Sequence, residues 1–171
     1  MRSESGVTLI ELVVVLAVLS LATSLALLSG SAVVRSSQAS RAASRLLDHI
    51  AIARMSAVAQ TAKWRLNWDP PATPGSTVVR GYRVESCVGS PCASWVEQDR
   101  YQLEDGLGLA VPMGGSGPNP LQFNPDGFYS GPTVEITVCR VQTEPSGAET
   151  CQSGYAGRTI RIHANTGVIE H

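Results

Sequence analysis

The stretch LVVVLAVLSLATSLALL, from Leu12 to Leu28, contains no charged side chain. With residues 7–11 before it, the apolar run is long enough to cross a bilayer, because a hydrocarbon core of about 30 Å needs roughly 20 helical residues. The competing interpretation is a cleaved secretory signal, whose apolar region is shorter and is followed by unrelated mature sequence. Here the helical pattern continues, so we predict a transmembrane helix over residues 7–30.

One carboxylate, Glu11, lies inside this apolar run. An unpaired acid buried in lipid costs on the order of a few kcal/mol, so Glu11 is either hydrated at headgroup depth or paired with a cation. Cleavage after Gly6 would free an α-amino group at Val7, and the amine of a neighbouring chain could neutralise Glu11. The residues alone leave both interpretations open.

Residues 6–12, Gly-Val-Thr-Leu-Ile-Glu-Leu, followed by an apolar helix, resemble the N-terminal motif of type IV prepilins. The resemblance implies that a dedicated peptidase removes a leader, residues 1–6, and methylates the new N-terminus. Gly6 would then precede the cleaved bond and Val7 would begin the mature chain. Glu11, with Thr8 beside it, would recruit the subunit into a helical filament.

Small and apolar residues continue at helical spacing after Gly30. These residues are Ala39, Ala43, Leu46, Ile50, Ala53 and Ala57. Residues 31–62 therefore have the pattern of an amphipathic continuation of the same helix. Its apolar stripe needs a cover, either a coiled-coil partner or the chain's own C-terminal domain. We favour the second because that domain follows at once.

Residues 63–171 have the pattern of an antiparallel β domain. Trp64, Leu66 and Trp68 alternate with polar residues, as expected of a strand with one buried face. Further predicted strands are Val78–Cys87, Trp95–Leu103, Leu107–Val111, Leu121–Phe123, Thr133–Val141, Arg158–Ala164 and Val168–Ile169. Turns are predicted at 124–127 and 165–167, and a flexible loop at 113–118. The prediction is an α+β fold, a long N-terminal helix packed on this domain.

The β pattern resembles the minor pilins and pseudopilins of the GspH/FimT group. The matching features are an aromatic strand after the helix, Phe123 and Gly127 around a turn, a strand leading into Cys139, and a late turn glycine. The resemblance implies a pilin-like subunit that primes or caps a type IV pilus or a type II secretion pseudopilus. Its partners would be other major and minor pilins or pseudopilins, the prepilin peptidase/methyltransferase, the inner-membrane assembly platform and the lipid bilayer.

The resemblance also implies a location. The precursor would cross the bacterial inner membrane once, with its C-terminal domain outside the cytoplasm, and would later enter a periplasmic or cell-surface filament. Counting basic residues alone predicts the opposite orientation, because three arginines follow the span. These are Arg35, Arg41 and Arg45. We give the cleavage motif more weight than the charge count.

Four cysteines form two close pairs, Cys87/Cys92 and Cys139/Cys151. Zinc is the main alternative, yet neither pair has the short spacing of a structural zinc site and no suitably spaced histidine accompanies them. A domain outside the cytoplasm permits oxidation, and each pair would close a small loop that stabilises the fold by roughly 2–3 kcal/mol. Of the three possible connectivities we favour local pairing, and we expect no metal or other cofactor.

No catalytic pattern is visible in the sequence. His49, His163 and His171 lack the spacing of a metal site or a catalytic triad, and Gly115-Ser116-Gly117 lacks the strand-to-helix context of a nucleophile elbow. We therefore expect a protein that works by assembly and not as an enzyme. A third interpretation is a plain single-pass protein with a β domain.

DNA binding is the main functional alternative. Some FimT-type minor pilins capture DNA during transformation through a GRxR motif after the last turn, where this chain has Gly-Val-Ile-Glu at 167–170. A related segment, 157–161, offers Arg158 and Arg161. Further positive charge comes from Lys63, Arg65, Arg80 and Arg83. A solvated strand face explains these cations equally well, and the formal net charge of −1 gives no global basic footprint.

Overall fold

The computed structural model of the chain describes residues 9–89, 91–114, 117–153, 157–164 and 169–170, with only the backbone at 25–36, 114, 117, 169 and 170. The predicted processing and assembly positions Gly6, Val7 and Thr8 lie outside these residues, as does the turn predicted at 165–167. The chain divides into two compact units between Ser37 and Gln38.

One α-helix, α1, runs from Leu9 to Ala59 and contributes to both units. Its first turn contains Glu11, where the positive end of the helix dipole favours an acidic side chain. The side chains at 9–24 are exposed. Within the described residues, no helical window combines the length and the apolar character that crossing a membrane requires.

The second part of α1, residues 38–59, buries the apolar stripe that the sequence pattern predicts. The residues that share this burial are Ala39, Ala42, Ala43, Leu46, Ile50, Ala53 and Ala57. The helix ends three residues before the predicted boundary at Ala62, because the chain reverses at Thr61 with a left-handed φ of 48°. The amide of Ala62 still donates a hydrogen bond to the carbonyl of Ala57 at 3.2 Å.

Twelve strands are described after the helix. They are β1 Trp64–Trp68, β2 Val78–Val79, β3 Gly81–Val88, β4 Ser94–Gln102, β5 Leu107–Ala110, β6 Met113–Gly114, β7 Gly117–Pro118, β8 Leu121–Phe123, β9 Val134–Thr143, β10 Glu149–Cys151, β11 Arg158–Ile162 and β12 Ile169–Glu170. One sheet has the order β4-β3-β1-β8 and a second the order β12-β11-β9-β5-β2, with β10 also on β9. Each pairing described is antiparallel, which confirms the predicted α+β fold.

The two sheets and the buried helix stripe share one hydrophobic core. Alternation decides which side chains enter it: on β9, Val134, Ile136 and Val138 are buried while Glu135 is exposed. Strand β1 buries both of its tryptophans and Leu66 in the same way. Burial of apolar surface on this scale is the main force that holds the domain together.

The strand predicted at Val78–Cys87 is two strands in different sheets, so this prediction is wrong. β2 pairs with β5, β3 pairs with β1 and β4, and Arg80 separates them. At this sheet switch, the point where the chain passes from one sheet to the other, the backbone lies close to its neighbours. A Cβ on Gly81 would lie 2.6 Å from Asp69 Oδ2. The loop predicted at 113–118 contains the short β6–β7 pair, and β10 was not predicted.

Candidate functional site

The predicted assembly carboxylate lies on a helical surface with apolar neighbours. Glu11 is exposed in the first turn of α1. Leu9 and Ile10 beside it are 84% and 72% exposed, and the large apolar side chains that follow as far as Leu21 are each more than half exposed. An exposed apolar surface of this kind marks a site of contact with lipid or another protein.

The four cysteines form the two local disulfides. Cys87 is bonded to Cys92, with 5.6 Å between their Cα atoms, and closes the hairpin between β3 and β4. Cys139 is bonded to Cys151, with 5.5 Å between their Cα atoms, and joins β9 to β10. Among the described residues, no group of three or more His, Cys, Asp or Glu side chains could hold a metal ion.

Two of the arginines considered for DNA binding take part in a charge network on the four-stranded sheet. Arg65 Nε donates to Glu85 Oε2 at 2.6 Å, and the Arg65 guanidinium lies 4.0 Å from the centre of the Trp95 ring. Arg83 Nε is 3.3 Å from Asp69 Oδ1. Glu85 is almost fully buried, so its negative charge requires the neighbouring arginines Arg65 and Arg83. The positive charge of this face is therefore balanced within the chain.

Arg80, at the switch between the sheets, is also paired. It donates twice to Glu149, with Nε 3.1 Å from Oε2 and Nη2 2.6 Å from Oε1, and Nη1 donates to the carbonyl of Leu107 at 3.0 Å. These hydrogen bonds hold the pKa of Glu149 below its ordinary value. Arg80 thus links the switch to β10 and β5 and is not free to bind phosphate.

Arg158 and Arg161 do not form a joint site, because they lie on opposite faces of β11. Successive side chains of a strand alternate, and Ile160 and Ile162 face the core, so Arg158 has the core-facing parity. Arg161 faces outward and donates to Glu135 Oε1 at 2.8 Å. Within the part of the chain that the structure describes, Lys63 and Arg158 have no carboxylate partner.

His49 belongs to a cluster that the sequence analysis did not predict. Its Nδ1 is 2.8 Å from the hydroxyl of Tyr82, and its Nε2 is 3.5 Å from Asp99 Oδ2. Tyr82 is buried, and this burial raises the pKa of its hydroxyl above the ordinary value. The cluster connects α1 to β3 and β4. Because its members are distant in sequence, spacing could not reveal it.

Comparisons with known proteins find similarities in two parts of the chain. Residues 1–27 match the prokaryotic N-terminal methylation motif, and residues 42–166 match the family of the type II transport protein GspH. Both matches fall on residues that carry the resemblance stated from the sequence. No curated protein matches the chain at a significant level.

Two solved structures are similar in fold. The minor pseudopilin EpsH from the type 2 secretion system of Vibrio cholerae shares 14% identity over 78% of this chain and 94% of that chain, with a TM-score of 0.54. The type IV minor pilin FimU of Pseudomonas aeruginosa shares 16% identity over 77% of this chain and 85% of that chain, with a TM-score of 0.49. At these identities, the likeness to EpsH concerns the fold alone.

Proposed function

The chain belongs to the family of the type II transport protein GspH, and on this basis we propose that its N-terminal helix assembles into a type IV pilus or a type II secretion pseudopilus. Proteins of this pilin-like class are structural subunits and not enzymes. Membership and the methylation motif imply a membrane-anchored subunit that a prepilin peptidase processes and that assembles with other pilins.

One observation carries the proposal: a carboxylate in the first turn of a helix whose apolar side chains are exposed. Cleavage after Gly6 would leave a positively charged amine at Val7. The amine of one subunit would neutralise Glu11 of the next, while the apolar side chains of the two helices cover each other. An ion pair formed in such a low-dielectric environment is strongly position-dependent, so it would select a defined axial register.

The rest of the proposal concerns place and role. Before assembly, the precursor would cross the bacterial inner membrane once, with residues 7–30 as the span and the β domain outside the cytoplasm. The assembly platform in that membrane would then transfer it into a periplasmic or surface filament. The β domain would make the contacts through which a minor subunit primes or caps the filament. Its own closed core, which the helix stripe completes, supports such a role.

The test compares Glu11→Leu with Glu4→Leu, the same substitution in the leader that the mature chain lacks. Both variants are expected to be cleaved. The amount of each in sheared filaments is measured relative to the amount in membranes. Glu11→Leu should reduce incorporation on the order of tenfold or more, because it leaves an amine without its counterion. Normal incorporation of Glu11→Leu would contradict the pairing of Glu11 with an amine.

DNA binding remains an alternative prediction with less support. Four of the six cations considered for it, including Arg161, are paired with carboxylates. The two arginines on β11, Arg158 and Arg161, face opposite ways. The full chain in detergent should therefore show no binding to duplex DNA at physiological salt. Steeply salt-dependent binding that is lost in the Arg158→Ala/Arg161→Ala double variant would establish the alternative instead.

A further inference from the structure

A groove of about 430 Å³ lies between the second part of α1 and the beginning of β11. Both walls belong to the compact unit that begins at Gln38. The helix wall consists of Ser40, Ala43, Ser44 and Leu47, and the strand wall of Gly157, Arg158, Thr159 and Ile160. The groove is large enough for a few side chains of another protein.

The strand wall carries a cation in an unusual place. Arg158 has the same parity on β11 as Ile160 and Ile162, which enter the core. Arg158 therefore has the parity of the helix-facing side of the sheet, next to the end of the core, and it lines the groove. Arg161 belongs to the outer side, where it binds Glu135.

Among the arginines on the described strands, Arg140 and Arg158 have no carboxylate within ion-pair distance, and of these two Arg158 lines the groove. Arg65, Arg80, Arg83 and Arg161 each have a carboxylate within ion-pair distance. Arg158 has none within the described part of the chain, although it stands beside the apolar wall formed by Ala43 and Leu47. A guanidinium in such a half-apolar groove is complementary to a carboxylate that enters from outside.

We propose that this groove binds an acidic side chain of a neighbouring filament subunit. Arg158 would form the ion pair, the hydroxyls of Ser40 and Ser44 would supply further hydrogen bonds, and Leu47 would contact apolar atoms next to the acid. The inference rests on the proposed function, because it names a filament subunit as the occupant. It adds to that function a lateral contact that is independent of Glu11.

A protein carboxylate fits the groove better than a nucleic acid does. A nucleic-acid backbone presents a row of phosphates and is bound by several cations along a path. The groove offers one guanidinium, and the neighbouring Arg161 lies on the opposite face of the strand with its charge balanced by Glu135. Leu47, which is only partly buried, supplies apolar surface that suits a protein segment, and the buried Ala43 and Ile160 lie beside it.

The experiment places a photo-reactive amino acid at Ser44 of the full chain in cells that assemble filaments. A second site, Thr143 at the end of β9, is exposed and outside the groove and serves as the control position. After irradiation, adducts are mapped by mass spectrometry. We expect an adduct from Ser44 with a pilin-class subunit, within a segment that contains Asp or Glu, and no such adduct from Thr143.

Dependence on charge is tested with Arg158→Gln and Arg158→Glu, and with Lys63→Glu as the matched charge reversal outside the groove. Arg158 is exposed, so the variants should fold, which their thermal unfolding checks. The adduct yield should fall on the order of tenfold in Arg158→Glu, less in Arg158→Gln, and remain unchanged in Lys63→Glu. Exchanging the mapped acid of the partner for Lys should restore the yield with Arg158→Glu.

The outcomes separate the two proposals. If the wild-type chain is absent from filaments, the proposed function fails and the groove loses its named occupant. If the chain is present in filaments but Ser44 gives no adduct, gives an adduct with DNA or lipid, or gives the same yield in Arg158→Glu, the groove inference alone is overturned.

Discussion

Similar apolar residues are exposed in the first part of α1 and buried in the second part. Leu16, before Gln38, is 57% exposed, whereas Ile50, after it, is completely buried. The second part has its cover within the chain, since both sheets of the β domain pack around its apolar stripe. Residues 9–24 have exposed side chains throughout. The difference teaches that one unit carries its own core, while the other presents apolar surface for lipid or other subunits.

The largest expected effect compares equivalent truncations in the two parts. Ile50→Ala should lower the free energy of unfolding by about 3 kcal/mol, because it leaves a cavity in a closed core. Leu16→Ala should change the free energy of unfolding by less than about 0.5 kcal/mol, because that side chain is already more than half exposed in the isolated chain. Urea unfolding in detergent, followed by tryptophan fluorescence, measures both. Equal effects would remove the distinction between the two parts.

The two disulfides test whether cross-links within the β domain stabilise it. Replacing both Cys139 and Cys151 by Ala should lower the free energy of unfolding by about 3 kcal/mol, and the same change at Cys87 and Cys92 by about 2 kcal/mol. The order follows from the sequence separations of 12 and 5, since a longer closed loop restricts the unfolded chain more. Unfolding in urea without reductant measures the free energy of unfolding of both variants. A larger effect of the shorter loop would contradict the explanation.

A smaller effect concerns the ion pair at the sheet switch. Arg80 lowers the pKa of Glu149 in the folded chain, so the stabilisation is present above the unfolded value of 4.5 and is lost as the pH falls through the folded pKa. Glu149→Gln should therefore cost about 1–2 kcal/mol at neutral pH, and this difference should shrink below about pH 4. Urea midpoints measured between neutral and acidic pH show the trend.

The control for this prediction is Glu97→Gln. The hydrogen bond from Arg100 also lowers the pKa of Glu97, but both side chains are solvent-exposed, and water screens such pairs. The urea midpoint of this variant should match that of the wild type at each pH. A pH-independent difference between Glu149→Gln and the wild type would show that packing, and not charge, stabilises the switch.

Local patterns predicted much of the fold. The stripe from Ala39 to Ala57 and the strands at Trp64–Trp68 and Leu121–Phe123 follow from periodicity, because each has one face in the core. Periodicity does not reveal which sheet a strand joins. The sequence pattern therefore predicts one continuous strand from Val78 to Cys87, although Arg80, between the two strands, is paired with Glu149, a residue distant in sequence.

The candidate sites were predictable to the extent that their signals are local. The motif around Gly6 and Glu11 is contiguous, and both cysteine pairs are close in sequence. By contrast, the carboxylates that balance Arg65, Arg80 and Arg161 come from other strands, so a reading of the sequence overestimates the free positive charge. The groove around Arg158 likewise requires the packing of a helix against a strand.

The central claim is that the exposed N-terminal helix becomes a filament helix once its leader is removed. The most direct test is mass spectrometry of the intact N-terminus of the chain isolated from its native cells. The account predicts a mature chain that begins at Val7, with a methyl group on the α-amine. A chain that still begins at Met1, in cells whose other pilins are processed, would contradict it.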